Sequence, residues 1–383
     1  MRPAVRRPPI PAVVLLTLAR LVVNIAQRFV YPFLPAIARG LGVSLQQAGL
    51  LLSARSLAGL ATPLAVGIAG RGERRLRLLA TGLLLFVGGT TITASGSLYP
   101  LALVGFLLLG LGKPVYDVGA QSYLADHSAY EVRARYLTIT ELTWSGSLLL
   151  GAPAAGWLIA RWGWQAPFWA LAALGLLAAL ALPQALGADS PSGTTRRQPL
   201  RLSHSAWALL VAIGVFTFGT EVTFVVFGAW LEGSFGLSLV ALGAASTVLA
   251  LAELSGEGGT LAFADRFGKR RAVALGLALS AAGYALLPLA SGRLAAGLAV
   301  LAVAVLGFEV AVVSALPLAT EILPSARGRF LALIMVSFAL ARGLAAAVGP
   351  ALFEQVGLPG NAGLSAACNL LALAVVMLGV QQQ

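Results

Sequence analysis

Three glutamates, Glu221, Glu253 and Glu309, each lie near the middle of an apolar stretch long enough to cross a lipid bilayer. An ionisable side chain at that depth costs about 2.5–3.5 kcal/mol on insertion scales, so it marks a candidate functional site. A carboxyl group in such a place can take up a proton and release it again. We therefore predict these glutamates and Asp117 as candidate proton carriers, and the sequence does not choose among them.

A fourth glutamate, Glu257, follows Glu253 after one helical turn. Two like charges so close together in a medium of low dielectric constant cannot both ionise cheaply, so one of the two carboxyl groups is expected to hold a proton. Glu257 lies nearer the end of its apolar stretch. Its alternative role is to support the basic connection that follows.

Polar and cationic side chains in the first half of the chain recur at helical spacing. Lys113, Asp117 and Gln121 are four residues apart and share one helix face. Lys113 and Asp117 are either a structural ion pair or part of a solute-binding cavity, and both interpretations stay open. Arg55 and Arg342 likewise either pair with acids for packing or line the cavity. The candidates for the cavity are Asn24, Gln27, Arg28, Tyr31, Arg55, Lys113, Gln121, Glu141 and Arg342.

The elements that must carry these side chains are twelve apolar stretches. Residues are 58% hydrophobic and 10% charged, with a mean hydropathy of +0.89, whereas soluble domains carry about 25% charged residues. The sequence therefore predicts an all-α membrane protein with twelve transmembrane helices. Their bounds are Pro11–Ile37, Leu45–Ala69, Leu76–Ala94, Leu98–Ala125, Tyr136–Ala160, Ala166–Leu186, Ala206–Leu231, Leu239–Ala264, Ala272–Ala290, Leu294–Thr320, Phe330–Phe353 and Ala362–Val380.

The net charge of +12 reflects membrane topology rather than a nucleic-acid partner. Most of the 26 lysines and arginines lie in the N-terminal tail and the even-numbered connections, and Arg39, Arg161 and Arg293 lie in the odd-numbered ones. The positive-inside rule then places both termini in the cytoplasm. The first apolar stretch is too long for a cleaved signal and is expected to remain as a helix. The single cysteine, Cys368, excludes an intrachain disulfide.

The chain resembles itself at an offset of 194 residues. Gly42-Val-Ser-Leu-xxx-Gly49 recurs as Gly236-Leu-Ser-Leu-xxx-Gly243, and Arg133-Ala-Arg-Tyr-Leu137 recurs as Arg327-Gly-Arg-Phe-Leu331. Repeated six-helix units of parallel topology are typical of one transporter architecture. We predict a six-helix bundle at residues 1–186, a cytoplasmic linker at 187–205 and a second bundle at 206–383.

The connection Asp265-Arg-Phe-Gly-Lys-Arg-Arg271 resembles the signature loop of the major facilitator superfamily, and the resemblance extends over the whole chain. Gly268 permits its tight turn. The resemblance implies that the acid of this loop caps a helix of the opposite half and acts as a latch. The residues implied in gating are Asp265, Arg266, Gly268, Lys269 and Arg270.

The first half departs from this pattern. Its corresponding connection has Arg71 where the acid should be, so the first latch is lost or rebuilt with Glu73 or Asp126. The run Gly151-Ala-Pro153 resembles the Gly-Pro motif of proton-antiporting exporters, but Ala152 replaces its glycine. We interpret such positions as kinks and close-packing points.

The resemblance implies a secondary active transporter with alternating access and a water-filled cavity between halves, lined by the predicted helices 1, 2, 4, 5, 7, 8, 10 and 11. We expect proton-coupled export of a small amphipathic or charged organic compound. The alternatives are a proton- or sodium-coupled importer of a small metabolite, a lysolipid transporter, and a membrane-embedded enzyme or pigment-binding assembly factor.

The sequence contains no nucleophile–base pair, metal-ligand cluster or nucleotide-binding motif to support an enzyme or ATP drive. We therefore expect no cofactor and no metal. The expected partners are the substrate, protons and the bilayer, with the protein a monomer. Strong use of arginine over lysine is typical of a GC-rich bacterial genome, so we expect the bacterial cytoplasmic membrane.

Overall fold

A computed structural model describes residues 10–62, 75–128, 136, 139–186 and 201–381, and at 126 and 261–267 it describes the backbone alone. Several predicted features lie outside the described residues. They are most of the first-half connection, at 63–74, the repeated Arg133-Ala-Arg135, and linker residues 187–200. Within the described ranges the regular secondary structure is helical throughout. The helices are α1 Ile10–Arg28, α2 Leu34–Leu41, α3 Leu45–Ala58, α4 Arg75–Ala94, α5 Tyr99–His127, α6 Thr143–Trp162, α7 Ala166–Ala185, α8 His204–Phe224, α9 Phe227–Phe235, α10 Leu239–Phe267, α11 Lys269–Ala290, α12 Leu294–Ile322, α13 Arg327–Val356 and α14 Leu358–Gly379.

The described segments contain eleven helical spans long and apolar enough to cross a membrane. The remaining predicted span, Leu45–Ala69, is described only as far as Thr62, so its full length lies outside the described residues. Large apolar side chains on the helix surfaces are exposed, as contact with lipid requires. Examples are Leu150, Leu177, Leu289 and Leu378.

Two predicted helices are each broken in two. The first ends at Arg28 and resumes at Leu34, because Pro32 has no N–H to donate to the preceding turn. The seventh ends at Phe224 and resumes at Phe227, where the Val226 amide bonds to Thr223, three residues back, instead of four. Apolar residues continue through both breaks, so the apolar pattern alone predicted two continuous helices.

The chain divides into two compact units. Unit 1 comprises Met1–Val30, Gly40–Gly42 and Ala54–Arg196, and unit 2 comprises Tyr31–Arg39, Val43–Ser53 and Arg197–Gln383. Two short segments of the predicted first bundle are therefore part of unit 2.

Within unit 2, the start of α3 is fixed to α13 by specific contacts. The carboxylate of Glu354 accepts from the Leu45 amide at 2.8 Å, at the N-terminus of α3, where an anion is favourable. The Ser53 hydroxyl donates to the Gly343 carbonyl at 2.7 Å. These bonds explain why this part of α3 belongs to unit 2.

The internal repeat is visible in how helices pack within each unit. In unit 1, α4 meets α5 at Gly82, where a Cβ would lie 2.6 Å from the Tyr116 nitrogen. In unit 2, α11 meets α12 at Gly276, where a Cβ would lie 2.6 Å from the Ala311 nitrogen. Gly82 and Gly276 are 194 residues apart, which is the offset read from the sequence. Small residues allow such close backbone approach between membrane helices.

The repeated glycines Gly42 and Gly236 also share one backbone conformation. Their φ angles are 66° and 63°, in the left-handed region that favours glycine. Two residues after each glycine, a serine hydroxyl accepts a hydrogen bond from a backbone N–H at the start of the next helix. The distance is 3.1 Å for Ser44 and 3.3 Å for Ser238. The repeated sequence therefore encodes the same helix–turn–helix in both places.

Candidate functional site

A chain of four alternating charges lies inside unit 1. Lys113 and Asp117 are one turn apart on α5, and the Lys113 ammonium donates to Asp117 at 2.7 Å. Arg20, on α1, donates to the other oxygen of Asp117 at 3.2 Å and to Glu141 at 2.8 Å. The shared face predicted for Lys113 and Asp117 is thus an ion pair, and Arg20 connects it to Glu141.

The four charges differ in their access to solvent. The side chain of Arg20 is 8% exposed and that of Asp117 is 20% exposed, whereas that of Glu141 is 59% exposed. Glu141 lines a cleft of about 430 Å³ together with Gln121, Ser122 and Ala125. The chain of charges therefore begins among packed helices and ends at an open cleft.

Trp144 lies one turn beyond Glu141 and contacts two cations. The guanidinium carbon of Arg28 is 4.6 Å from the centre of its ring, and the ammonium of Lys113 is 5.8 Å from it. Both distances are within the range of cation–π attraction.

The cavity candidates on the first predicted helix divide between the two units. The amide of Asn24 donates to the Thr143 hydroxyl at 3.0 Å, and Gln27 approaches the Leu109 carbonyl at 3.5 Å, both within unit 1. Arg55, also in unit 1, lies 6.0 Å from the ring centre of Phe106. Tyr31 lies in the break after α1 and belongs to unit 2.

Tyr31 contacts Glu221 in unit 2. Its hydroxyl donates a short hydrogen bond to one carboxylate oxygen of Glu221. The Nε of Arg342, on α13, lies 3.7 Å from the other oxygen, outside ordinary hydrogen-bond distance. Glu221 is 7% exposed and Tyr31 is 6% exposed, so this carboxylate is enclosed.

The break between α8 and α9 shapes the surroundings of Glu221. A Cβ on Gly228 would lie 2.2 Å from the Pro32 carbonyl oxygen, so only glycine lets α9 approach the break that carries Tyr31. The side-chain amide of Asn361 donates at 2.8 Å to the carbonyls of Val222 and Gly349. Sequence reasoning did not single out Asn361, because one uncharged residue in an apolar stretch gives no signal of its partners.

The two other acidic candidates of unit 2 are also buried. Glu253, on α10, is 3% exposed and Glu309, on α12, is 6% exposed. The two helices meet closely here, since a Cβ on Gly256 would lie 2.8 Å from the Cβ of Glu309. Glu309 therefore lies against the turn of α10 between Glu253 and Glu257.

The loop between α10 and α11 makes the predicted tight turn. Gly268 has a φ of 83°, which favours glycine. Lys269 forms an ion pair with Glu321 near the end of α12, and Arg270 donates to the Met377 carbonyl near the end of α14. Cations are favourable at C-terminal helix ends. The side chains of Asp265 and Arg266 lie outside the described part of the chain.

Known proteins share both the sequence pattern and the fold. The model of the Major Facilitator Superfamily matches residues 16–256. The uncharacterized MFS-type transporter YwfA of Bacillus subtilis (strain 168) is 24% identical over 368 residues, which cover 91% of this chain and 85% of that protein.

Two solved structures are similar to the whole chain. A bacterial homolog of the human lysosomal transporter Spinster has a TM-score of 0.79 and 16% identity over 96% of each chain. A D-xylose-proton symporter has a TM-score of 0.76 and 15% identity over 97% of this chain and 98% of that one. At these identities the likeness shows the fold alone.

The family match covers more than half of the chain and agrees with the all-α membrane fold expected from the sequence. The expectation that the protein is not an enzyme is confirmed by the family to which its relatives belong. The chain therefore belongs to the major facilitator superfamily and is a multi-pass membrane transporter that moves small molecules by secondary transport.

Proposed function

We propose that this transporter exports a small amphipathic or charged organic compound by alternating access, in exchange for protons. It acts in the bacterial cytoplasmic membrane as a monomer with both termini in the cytoplasm. One charge crossing the membrane yields about 2.3 kcal/mol per 100 mV, which is sufficient to drive a solute gradient. The conformational change of alternating access is a movement of two six-helix bundles, at residues 1–186 and 206–383, joined by a linker at 187–205. The loop from Asp265 to Arg270 gates this movement.

The observation that carries the proton coupling is the hydrogen bond between Tyr31 and Glu221. A phenol hydroxyl donates to a carboxylate and accepts from a protonated carboxyl group, so this contact is compatible with both states of Glu221. Glu221 also lies on a broken helix, which is a typical place for ion sites in transporters. We propose Glu221 as the principal proton carrier.

The other acidic candidates rank below Glu221. Asp117 is bound by both Lys113 and Arg20, so protonation would remove two ion pairs inside unit 1. Glu253 and Glu309 are both buried, and the helices that carry them pack closely. They are the second choice for the proton carrier. Asn24, Gln27, Arg28, Arg55, Lys113, Gln121, Glu141 and Arg342 are proposed as groups that face the solute.

The test is substrate-dependent proton flux in proteoliposomes, followed with a pH-sensitive dye and a panel of lipophilic cations, zwitterions and organic acids. The wild type is compared with Glu221→Gln, Glu253→Gln and Glu309→Gln. We expect the Glu221→Gln variant to retain substrate binding and lose proton flux. Substrate movement without proton movement in the wild type would instead favour a uniporter, a sodium-coupled importer or a lysolipid transporter.

A further inference from the structure

The cleft beside Glu141 is lined by one carboxylate, which is bonded to a guanidinium behind it. Glu141 is 59% exposed, and its neighbour Arg20 donates to it at 2.8 Å. The volume of about 430 Å³ falls in the range of small-molecule sites, which measure about 300–1,000 Å³. The polar side chains of Gln121 and Ser122 complete the lining. The cleft thus holds an anion and further hydrogen-bonding groups, and the largely buried Arg20 is bonded to that anion from behind.

The four linked charges balance one another, whereas Arg28 lies apart from them against the Trp144 ring. Lys113 and Arg20 supply two positive charges, and Asp117 and Glu141 supply two negative charges. A ligand with a single net charge would leave one of these groups with an uncompensated charge in a partly buried site, which is costly. A ligand with one positive and one negative group can enter between Arg20 and Glu141 and give each of them a new partner of opposite sign.

We propose that this cleft binds the charged head of an α-amino-acid-like zwitterion, whose carboxylate bonds to Arg20 and whose ammonium bonds to Glu141. This assignment rests on the proposed function, because it names the substrate class of the transporter. Guanidinium and carboxylate groups pair in a two-bond geometry that suits an amino acid's carboxylate. The ammonium has three N–H donors, and Gln121 and Ser122 supply acceptors beyond Glu141.

The position of Glu141 fits an entry site. It is the most exposed of the four charges, whereas Asp117 and Lys113 stay partly buried behind Arg20. An entering zwitterion therefore has to separate only the Arg20–Glu141 pair and leaves the bonds to Asp117 in place. The substituent of the ligand lies in the cleft beside Ala125.

The test uses three probes with one carbon skeleton. L-Leucine is the zwitterion, 3-methylbutylamine lacks its carboxylate, and 4-methylpentanoate lacks its ammonium. Binding to the purified full-length protein is measured by isothermal titration calorimetry without a proton gradient. We expect leucine to bind at least about tenfold more tightly than either of the others, because each lacks one charge-assisted hydrogen-bond partner.

The decisive variant is Glu141→Gln, which removes the negative charge at nearly constant shape. We expect leucine binding to weaken by at least about tenfold and the preference for leucine over 4-methylpentanoate to disappear. Glu141→Asp keeps the charge and is expected to keep the preference. Glu232→Gln is the matched control, because Glu232 pairs with the exposed Arg39 in unit 2.

Each other outcome overturns the assignment. Equal binding of 3-methylbutylamine would make the site one for organic cations, and tighter binding of 4-methylpentanoate would make it one for organic anions. Absence of binding by all three, or an unchanged preference in Glu141→Gln, would also refute it. Leucine binding without proton flux in proteoliposomes would support the zwitterion site and refute proton coupling. The two proposals can therefore be refuted independently.

Discussion

The charged groups of the two units are arranged differently. In unit 1, Asp117 is held by two cations at 2.7 and 3.2 Å. In unit 2, Glu221 is held by the neutral hydroxyl of Tyr31 and by one longer ion pair, with Arg342 at 3.7 Å. A carboxylate between two cations would lose both ion pairs on taking up a proton, whereas the hydrogen bond to a phenol is compatible with either form. This difference is the basis on which we propose proton exchange at Glu221 rather than at Asp117.

The largest effect is expected from Asp117→Asn. The substitution leaves Lys113 and Arg20 without the negative charge with which both of them pair. Removing one partner of a buried ion pair costs about 3–5 kcal/mol. We expect a loss of that size in the free energy of unfolding, measured by denaturant titration in detergent. The double variant Asp117→Asn, Lys113→Gln should recover part of the loss, because it also removes one uncompensated cation. Additive losses would contradict the ion-pair account.

A smaller effect is expected from Tyr31→Phe. It removes the hydroxyl that donates to Glu221, and hydrogen bonds to charged groups contribute about 1.5–3 kcal/mol. We expect a loss in that range in the free energy of unfolding, together with slower proton flux in proteoliposomes. Tyr284→Phe is a matched control, because the Tyr284 hydroxyl only approaches the Thr220 carbonyl at 3.5 Å. Equal losses in both variants would show that the Glu221 contact contributes nothing specific.

The smallest effect on stability is expected from Glu141→Gln. Its ion pair with Arg20 is more than half exposed on the Glu141 side, and such pairs contribute about 0–1 kcal/mol. Thermal unfolding without ligand should therefore change little, although leucine binding is expected to fall. A loss of stability as large as that of Asp117→Asn would mean that Glu141 is a structural part of unit 1. The expected difference between the partly buried Asp117 and the exposed Glu141 would then be wrong.

Much of the fold could be predicted from the sequence because apolar stretches of membrane length carry a strong signal. The paired packing glycines Gly82 and Gly276 keep the repeat offset of 194 residues, but they are visible only in the structure. The break after Arg28 has a local cause in Pro32, which the apolar pattern alone does not show. The break after Phe224 could not be predicted in the same way, because it depends on contacts between distant segments, such as Asn361 with Val222.

The candidate site was predictable only as far as spacing along one helix reaches. The spacing of four between Lys113 and Asp117 gave their shared face, since helical periodicity is local. The link through Arg20 to Glu141 joins three separate helices, and nothing in the local pattern specifies it. Tyr31 was expected to continue the helix of Arg28, and the break at Pro32 instead places it with Glu221.

The most direct test of the contrast between the units is a pair of assays on Glu221→Gln in proteoliposomes. The first assay measures substrate counterflow without a proton gradient, and the second measures accumulation driven by a pH gradient. Our account predicts that counterflow persists, because the binding groups of unit 1 are intact, and that accumulation is lost, because the proton carrier is gone. Retention of both activities, or loss of both, would contradict the assignment of proton exchange to Glu221.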